Sequence, residues 1–217
     1  MLPNSNISIY GDSISTLQGY SPTEGVFYDP AYPGSSRIAS VSDTWWDKVI
    51  SGVGGQLLVN NSYAGSTVSM GGYQAACAPW RIEKLKKGDT LPDYILVLSG
   101  LNDVATYRSP EDFGRHYSAM LGAMEEIYPD AEVWCGTLCR GFVTNPNLAL
   151  FVDLDRCLPL SDYNAAIREA VADAPNAKLA DLADFGASYA SMDGVHPNAS
   201  GMETLAQLWL RVLLEQA

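Results

Sequence analysis

Basic charge is scarce in this 217-residue chain: thirteen Lys and Arg stand against 25 Asp and Glu, a formal net charge of -12, and no basic cluster concentrates positive potential. Partners such as nucleic acid or an anionic membrane surface are disfavoured on that ground. No apolar run approaches the roughly 18 residues a membrane span needs, and the opening stretch MLPNSNISIY has neither a charged leader region nor an apolar segment behind it. The expectation is a cytoplasmic protein. Low-complexity tracts and internal repeats are missing too, which excludes a disordered chain or a solenoid. No glycine-rich phosphate loop and no metal-ligand spacing is visible, so neither a cofactor nor a metal is expected. Cysteine is sparse, at positions 77, 135, 139 and 157. If Cys135 and Cys139 share a strand, roughly 13 Å separates them, too far for a common metal or a bridge. All four are expected as reduced structural thiols.

What is present is an ordinary globular composition, 47% hydrophobic and 18% charged, at a length suited to one well-buried domain spanning residues 1–217. Apolar runs of strand length occur at 7–10, 57–60, 94–98, 132–138 and 177–182. They are continuous rather than alternating, as expected of parallel strands covered on both faces. Helical patterns lie between them, at 43–52 after a candidate Asp43 cap, 79–87, 110–128 and 161–174. In a last helix Leu205, Leu208, Trp209, Val212 and Leu213 make a core-facing stripe, and Ser200 with Glu203 fits a capping box. Alternating strands and helices with right-handed crossovers imply an α/β protein, a three-layer α/β/α sandwich around a flavodoxin-like open parallel sheet of about five strands.

Four short stretches fall where the strands end. The first run, ISIYGDSIST, breaks into Gly11, Asp12 and Ser13 at the carboxyl end of the first strand, where open parallel sheets place their ligand crevice. By itself such a tripeptide is more often plain turn chemistry than the seat of a nucleophile. NNSYAGST with Gly65 follows the second strand, and SGLNDV with Gly100, Asn102 and Asp103 follows the third. DGVHPN, near the C-terminus, holds Asp193 and His196 three residues apart.

These four blocks, in this order, resemble the SGNH hydrolases, also called GDSL-type esterases and lipases, over nearly the whole chain. The resemblance implies that Ser13 is a nucleophile, His196 its general base and then acid, and Asp193 the group orienting the imidazole. It also implies an oxyanion hole of the Ser13 and Gly65 backbone N–H groups with the Asn102 side-chain amide. Ile14 stands where leucine is commonest in the family's name motif, an apolar exchange.

The chemistry of the residues agrees with these roles. A serine hydroxyl is a poor nucleophile without a base to take its proton. Asp193 and His196 lie close enough for one local loop to deliver a carboxylate to one imidazole nitrogen while the other faces Ser13. A neutral amide such as Asn102 stabilises an oxyanion without adding a proton-transfer step. Asp12 and Asp103 are expected to fix loops by hydrogen bonding, His116 to lie at the surface, and Trp45, Trp46 and Trp209 to pack in the core. The long Gly/Pro/Ser-rich segment after Ser13 carries Tyr20, Phe27, Tyr28 and Tyr32. These aromatics form either a rim over the substrate or a loop packed on itself.

The expectation is a serine esterase acting through an acyl-enzyme, with a short-acyl, acetyl, ester of a carbohydrate as substrate, a small molecule or an oligosaccharide. A lysophospholipase or thioesterase is the alternative within hydrolases. A non-catalytic binding module on the same fold is the alternative outside them, and such a module has no chemical need of the complete set Ser13, Asn102, Asp193 and His196.

Overall fold

A computed structural model of the chain describes residues 3–143 and 159–215. Its strands are β1 (Asn6–Gly11), β2 (Gln56–Asn60), β3 (Tyr94–Leu98), β4 (Glu132–Gly136), β5 (Arg140–Val143), β6 (Ala177–Ala180) and β7 (Ser188–Ser191). The helices are α1 (Trp45–Val53), α2 (Pro79–Ile82), α3 (Leu101–Ala105), α4 (Pro110–Ile127), α5 (Leu160–Ala172) and α6 (Ala199–Glu215). Five strands form a parallel sheet in the order β2-β1-β3-β4-β6. The central ones are buried almost end to end, which is why their sequences read as unbroken apolar runs. Helix α1 packs with α6, while α4 packs with α5 and α2. This is the expected three-layer α/β/α arrangement, and its direction of winding reverses at β1, placing a topological switch point at that strand's carboxyl end.

Details differ from the sequence expectation at the helix ends. Helix α1 is capped by Thr44, whose side chain accepts the Asp47 N–H, because the Asp43 carboxylate is already taken by the backbone N–H groups of Ala39 and Ser40. Asn198, not Ser200, caps α6 by accepting the Gly201 N–H, and Glu203 instead pairs with Lys48 of α1. The pattern over 79–87 divides into α2 and a 3-10 turn at Glu83–Leu85. Beyond β4 the chain forms an unforeseen second sheet, in which β5 pairs in parallel with β7.

Trp45, Trp46 and Trp209 are fully buried, and Trp45 stacks on Trp209. His116 is half-buried, with its Nδ1 2.8 Å from the Asp112 carbonyl within α4. Cys77, Cys135 and Cys139 are buried free thiols, and burial pushes the thiols of Cys135 and Cys139 up to about 12. Cys157 lies outside the described residues. No helix among the described residues is long and apolar enough to cross a membrane.

Candidate active site

The end of β1 builds the first half of the site. Gly11 keeps strand geometry, and its missing side chain is a matter of space: a Cβ there would lie 2.7 Å from the Leu98 carbonyl oxygen and 2.7 Å from Ser15 Oγ. Asp12 then caps a 3-10 turn at Ser13–Ser15, accepting the Ile14 N–H on its side chain at 3.1 Å and the Ser15 N–H on its carbonyl at 3.1 Å. Ser13 thus opens a turn whose backbone is held from behind. Asp12 is buried, and that burial raises its carboxyl to about 6, against the lowering effects of the Ile14 N–H, the His196 ring and the Arg81 guanidinium.

The second half comes from the turn after β7. Asp193 Oδ1 accepts the backbone N–H groups of Val195 at 3.0 Å and His196 at 2.7 Å, and its Oδ2 lies 2.6 Å from His196 Nδ1. Burial acts to raise the Asp193 carboxyl, but the hydrogen bonds from the His196 ring and backbone outweigh it and hold the group below the usual carboxylate range. An ionised Asp193 can only accept, so Nδ1 carries the proton and Nε2 presents its lone pair. Nε2 lies 2.9 Å from Ser13 Oγ. The structure therefore brings together Ser13, His196 and Asp193, which are up to 183 residues apart, in one hydrogen-bonded line.

The turn is braced on every side. Ser191 Oγ accepts the Gly194 N–H and donates to the Phe142 carbonyl of β5; the Tyr189 hydroxyl donates to the Val195 carbonyl at 2.6 Å, and Met192 N–H to the His196 carbonyl at 2.8 Å. Part of the long segment after Ser13 straps across both halves. Phe27 N–H donates to Thr16 Oγ1, which itself donates to the Ser13 carbonyl, and the Phe27 ring stacks face to face on the His196 imidazole with centroids 3.7 Å apart.

Tyr28 corrects the sequence expectation. It is not a rim residue: the side chain is buried and its hydroxyl donates to the Pro197 carbonyl at 2.8 Å, so it clamps the histidine turn from below. Phe27 is 40% exposed and lies against the site. Tyr20 is exposed and leans on Trp46, and Tyr32 is exposed; among the described residues neither makes a hydrogen bond or ring contact with Ser13, Asp193 or His196.

Three N–H donors come from the Ser13 turn, the Gly65 loop and α3. Neither the Ser13 nor the Gly65 backbone N–H has an acceptor among the described residues. Asn102, on the first turn of α3, donates one amide N–H to the Ser66 carbonyl at 2.9 Å, which ties the Gly65 loop to α3 and leaves its other N–H available. Asp103 beside it is buried and accepts the N–H groups of Val68 and Ser69 at 2.7 and 2.9 Å, a loop-fixing role. An array of N–H groups without acceptors next to a serine–histidine pair is suited to a developing oxyanion.

The model for the GDSL-like lipase/acylhydrolase family matches residues 5–140. The chain belongs to that family. The match spans the blocks of Ser13, Gly65 and Asn102, while Asp193 and His196 lie beyond it. Among solved structures, a protein of Bacteroides ovatus assigned as a GDSL-like lipase superposes with a TM-score of 0.69 at 24% identity, covering 99% of each chain. A carbohydrate esterase of family 3 from Talaromyces cellulolyticus gives 0.61 at 17% identity, and an acetyl esterase variant solved with an acetate ion gives 0.59 at 17%; each covers 100% of this chain and 98% of its own. At these identities the likeness is one of fold. A comparison with curated proteins finds no match.

In this GDSL-like hydrolase, sequence reasoning missed two further contributors. The Tyr73 ring comes within 4.0 Å of where a side chain on Gly65 would begin and is half exposed, so it borders the N–H array. Arg81 is fully buried beneath the same array. Neither belongs to a motif; only chain packing carries them to the site.

Proposed function

We propose that this GDSL-like hydrolase is a serine esterase cleaving short-acyl esters, acetyl above all, from carbohydrate through an acyl-enzyme. The observation that carries the reading is the continuous Asp193–His196–Ser13 hydrogen-bond line, at 2.6 and 2.9 Å. Ser13 Oγ attacks the ester carbonyl carbon as its proton passes to His196 Nε2. The oxyanion so formed is held by the Ser13 and Gly65 N–H groups and the Asn102 amide, each such donor lowering the barrier by about 3 kcal/mol. Asp193 stabilises the imidazolium, which then protonates the departing sugar oxygen. Water attacks the acyl-serine, giving its proton to His196, and collapse of the second tetrahedral species returns the proton to Ser13 and frees the carboxylate.

Two features support a short acyl group on a sugar. The cavity behind the nucleophile turn, lined by Asp12, Ile14, Leu98, Leu101, Leu138 and Leu205 among others, measures about 10 Å³, space for about one water, so an acyl chain has no inward route there. Phe27 beside His196 and Tyr73 beside Gly65 offer exposed ring faces at the crevice. Two members of the same fold are an acetyl esterase and a carbohydrate esterase, in keeping with this reading.

The deciding experiment is a p-nitrophenyl ester series from two to eight carbons together with acetate release from acetylated xylo-oligosaccharides. Activity is expected to be greatest with acetyl or propionyl esters and to fall at least about 1,000-fold in Ser13→Ala, with fluorophosphonate labelling lost in the same variant. A profile climbing toward eight carbons, each buried methylene contributing about 0.8 kcal/mol, turns the reading to a lysophospholipase or thioesterase. Hydrolysis surviving in Ser13→Ala overturns the nucleophile itself.

A further inference from the structure

Arg81, on the short helix α2, has no exposed surface. It forms no ion pair among the described residues; its charge is met by main-chain carbonyls and aromatic faces. Nη1 donates to the Gln74 carbonyl at 2.5 Å, and Nη2 donates to the carbonyls of Gly11 at 2.6 Å and Asn61 at 3.0 Å. The guanidinium lies over the rings of Tyr10 at 4.4 Å and Tyr63 at 5.0 Å, while its Nε is buried without an acceptor. A guanidinium placed at such a desolvation cost, without a carboxylate and with one N–H unsatisfied, is a poor choice for filling space.

The three carbonyls say what it does. Gly11 ends β1, one residue before the Asp12–Ser13 step. Asn61 opens the loop from β2 that carries Gly65, and its own side-chain amide donates back to the Arg81 carbonyl at 2.7 Å. Gln74 lies where that loop returns, in the left-handed region at φ 47°, a strained conformation for a residue with a side chain. The Tyr63 N–H at 3.2 Å and Ser66 Oγ at 3.4 Å also reach the Gly11 carbonyl, both longer than the charge-assisted bond from Arg81.

We propose that Arg81 is the positioning residue of the oxyanion hole: its fork ties the chain segment bearing the Ser13 N–H to the loop bearing the Gly65 N–H and so sets the spacing of the two donors. This rests on the esterase reading above. Arg81 touches neither Ser13 nor the crevice and acts through main chain alone. A lysine would keep the charge and most of the volume, but a single ammonium cannot serve carbonyls that the fork reaches from two separate nitrogens.

The test is Arg81→Lys, with Arg81→Gln beside it, in two measurements. On p-nitrophenyl acetate kcat is expected to fall about 10- to 100-fold with KM within about twofold, because misplaced donors weaken transition-state stabilisation more than substrate binding. In hydrogen exchange, peptides covering 61–69 are expected to exchange faster while those of α5 do not change. Wild-type kcat in Arg81→Lys overturns the proposal. So does exchange rising equally in α5, or failure of both variants to fold, since either makes Arg81 a support of the whole fold. If the wild type shows no Ser13-dependent ester hydrolysis, the esterase reading falls instead, and the exchange measurement alone decides whether Arg81 fixes the Gly65 loop.

Discussion

Two carboxylates flank Ser13 and titrate in opposite directions. Asp193, gathered into three hydrogen bonds, is held below its ordinary range and adds stability that is present above the unfolded pKa and lost as pH falls through the folded one. Asp12 is raised by burial from 3.8 to about 6, so the folded protein takes up a proton there before the unfolded chain does. The contribution of Asp12 is therefore greatest below about pH 4, declines as pH rises to about 6 and is constant above that, opposite in sense to that of Asp193. Asp12→Asn preserves an oxygen for the Ile14 N–H and removes the buried charge. It is expected to raise stability at pH 8, by on the order of 3 kcal/mol, with the gain vanishing near pH 4; thermal melts across pH check this. A gain of equal size at every pH would show that ionisation of Asp12 is not its source.

At the level of elements, the site depends on two pieces outside the main sheet. One is the strap around Phe27 and Tyr28, the other the β5–β7 pair beneath the histidine turn. At Gly141 of β5 a Cβ would meet the Gly194 carbonyl oxygen at 2.6 Å, so the strand approaches the turn closely only because glycine stands there. Tyr28→Phe leaves the packing intact but deprives the buried Pro197 carbonyl of its donor, at a cost of about 1–2 kcal/mol. Denaturant unfolding should register that loss. In kinetics kcat should drop several-fold with KM unchanged, since Tyr28 holds His196 in place and has no surface to offer a sugar; a rise in KM alone would return Tyr28 to the substrate rim.

For the whole molecule the governing quantity is a formal charge of -12, spread over the surface of a hydrolase whose proposed substrate is neutral. A neutral acetyl ester feels little of that field, whereas an anionic ester such as a hemisuccinate is repelled until salt shortens the Debye length from about 30 Å at 0.01 M to about 10 Å at 0.1 M. kcat/KM for p-nitrophenyl acetate should stay level between those ionic strengths, and that for the hemisuccinate should rise. A neutral substrate with a steep salt dependence would point to charge steering by a local patch instead of the net field.

The layer order, the five strands and the four motif blocks were legible in the chain because each is a local property: a buried parallel strand is continuously apolar, and a crevice residue follows its strand directly. Ser13, Gly65 and Asn102 follow such runs, whereas Asp193 and His196 were named through the resemblance of the four blocks to the GDSL-type hydrolases. Tyr28 and Arg81 were not legible. Nothing local separates a tyrosine that clamps Pro197 from one that greets a sugar, and a lone arginine in a short helix reads as surface until three carbonyls from three chain segments close around it. The β5–β7 pair escaped notice likewise, since four-residue strands far apart in sequence have no periodic signature of their own. The partners of a buried polar group are chosen by which segments meet in space, and that is settled only when the sheet and its loops are assembled.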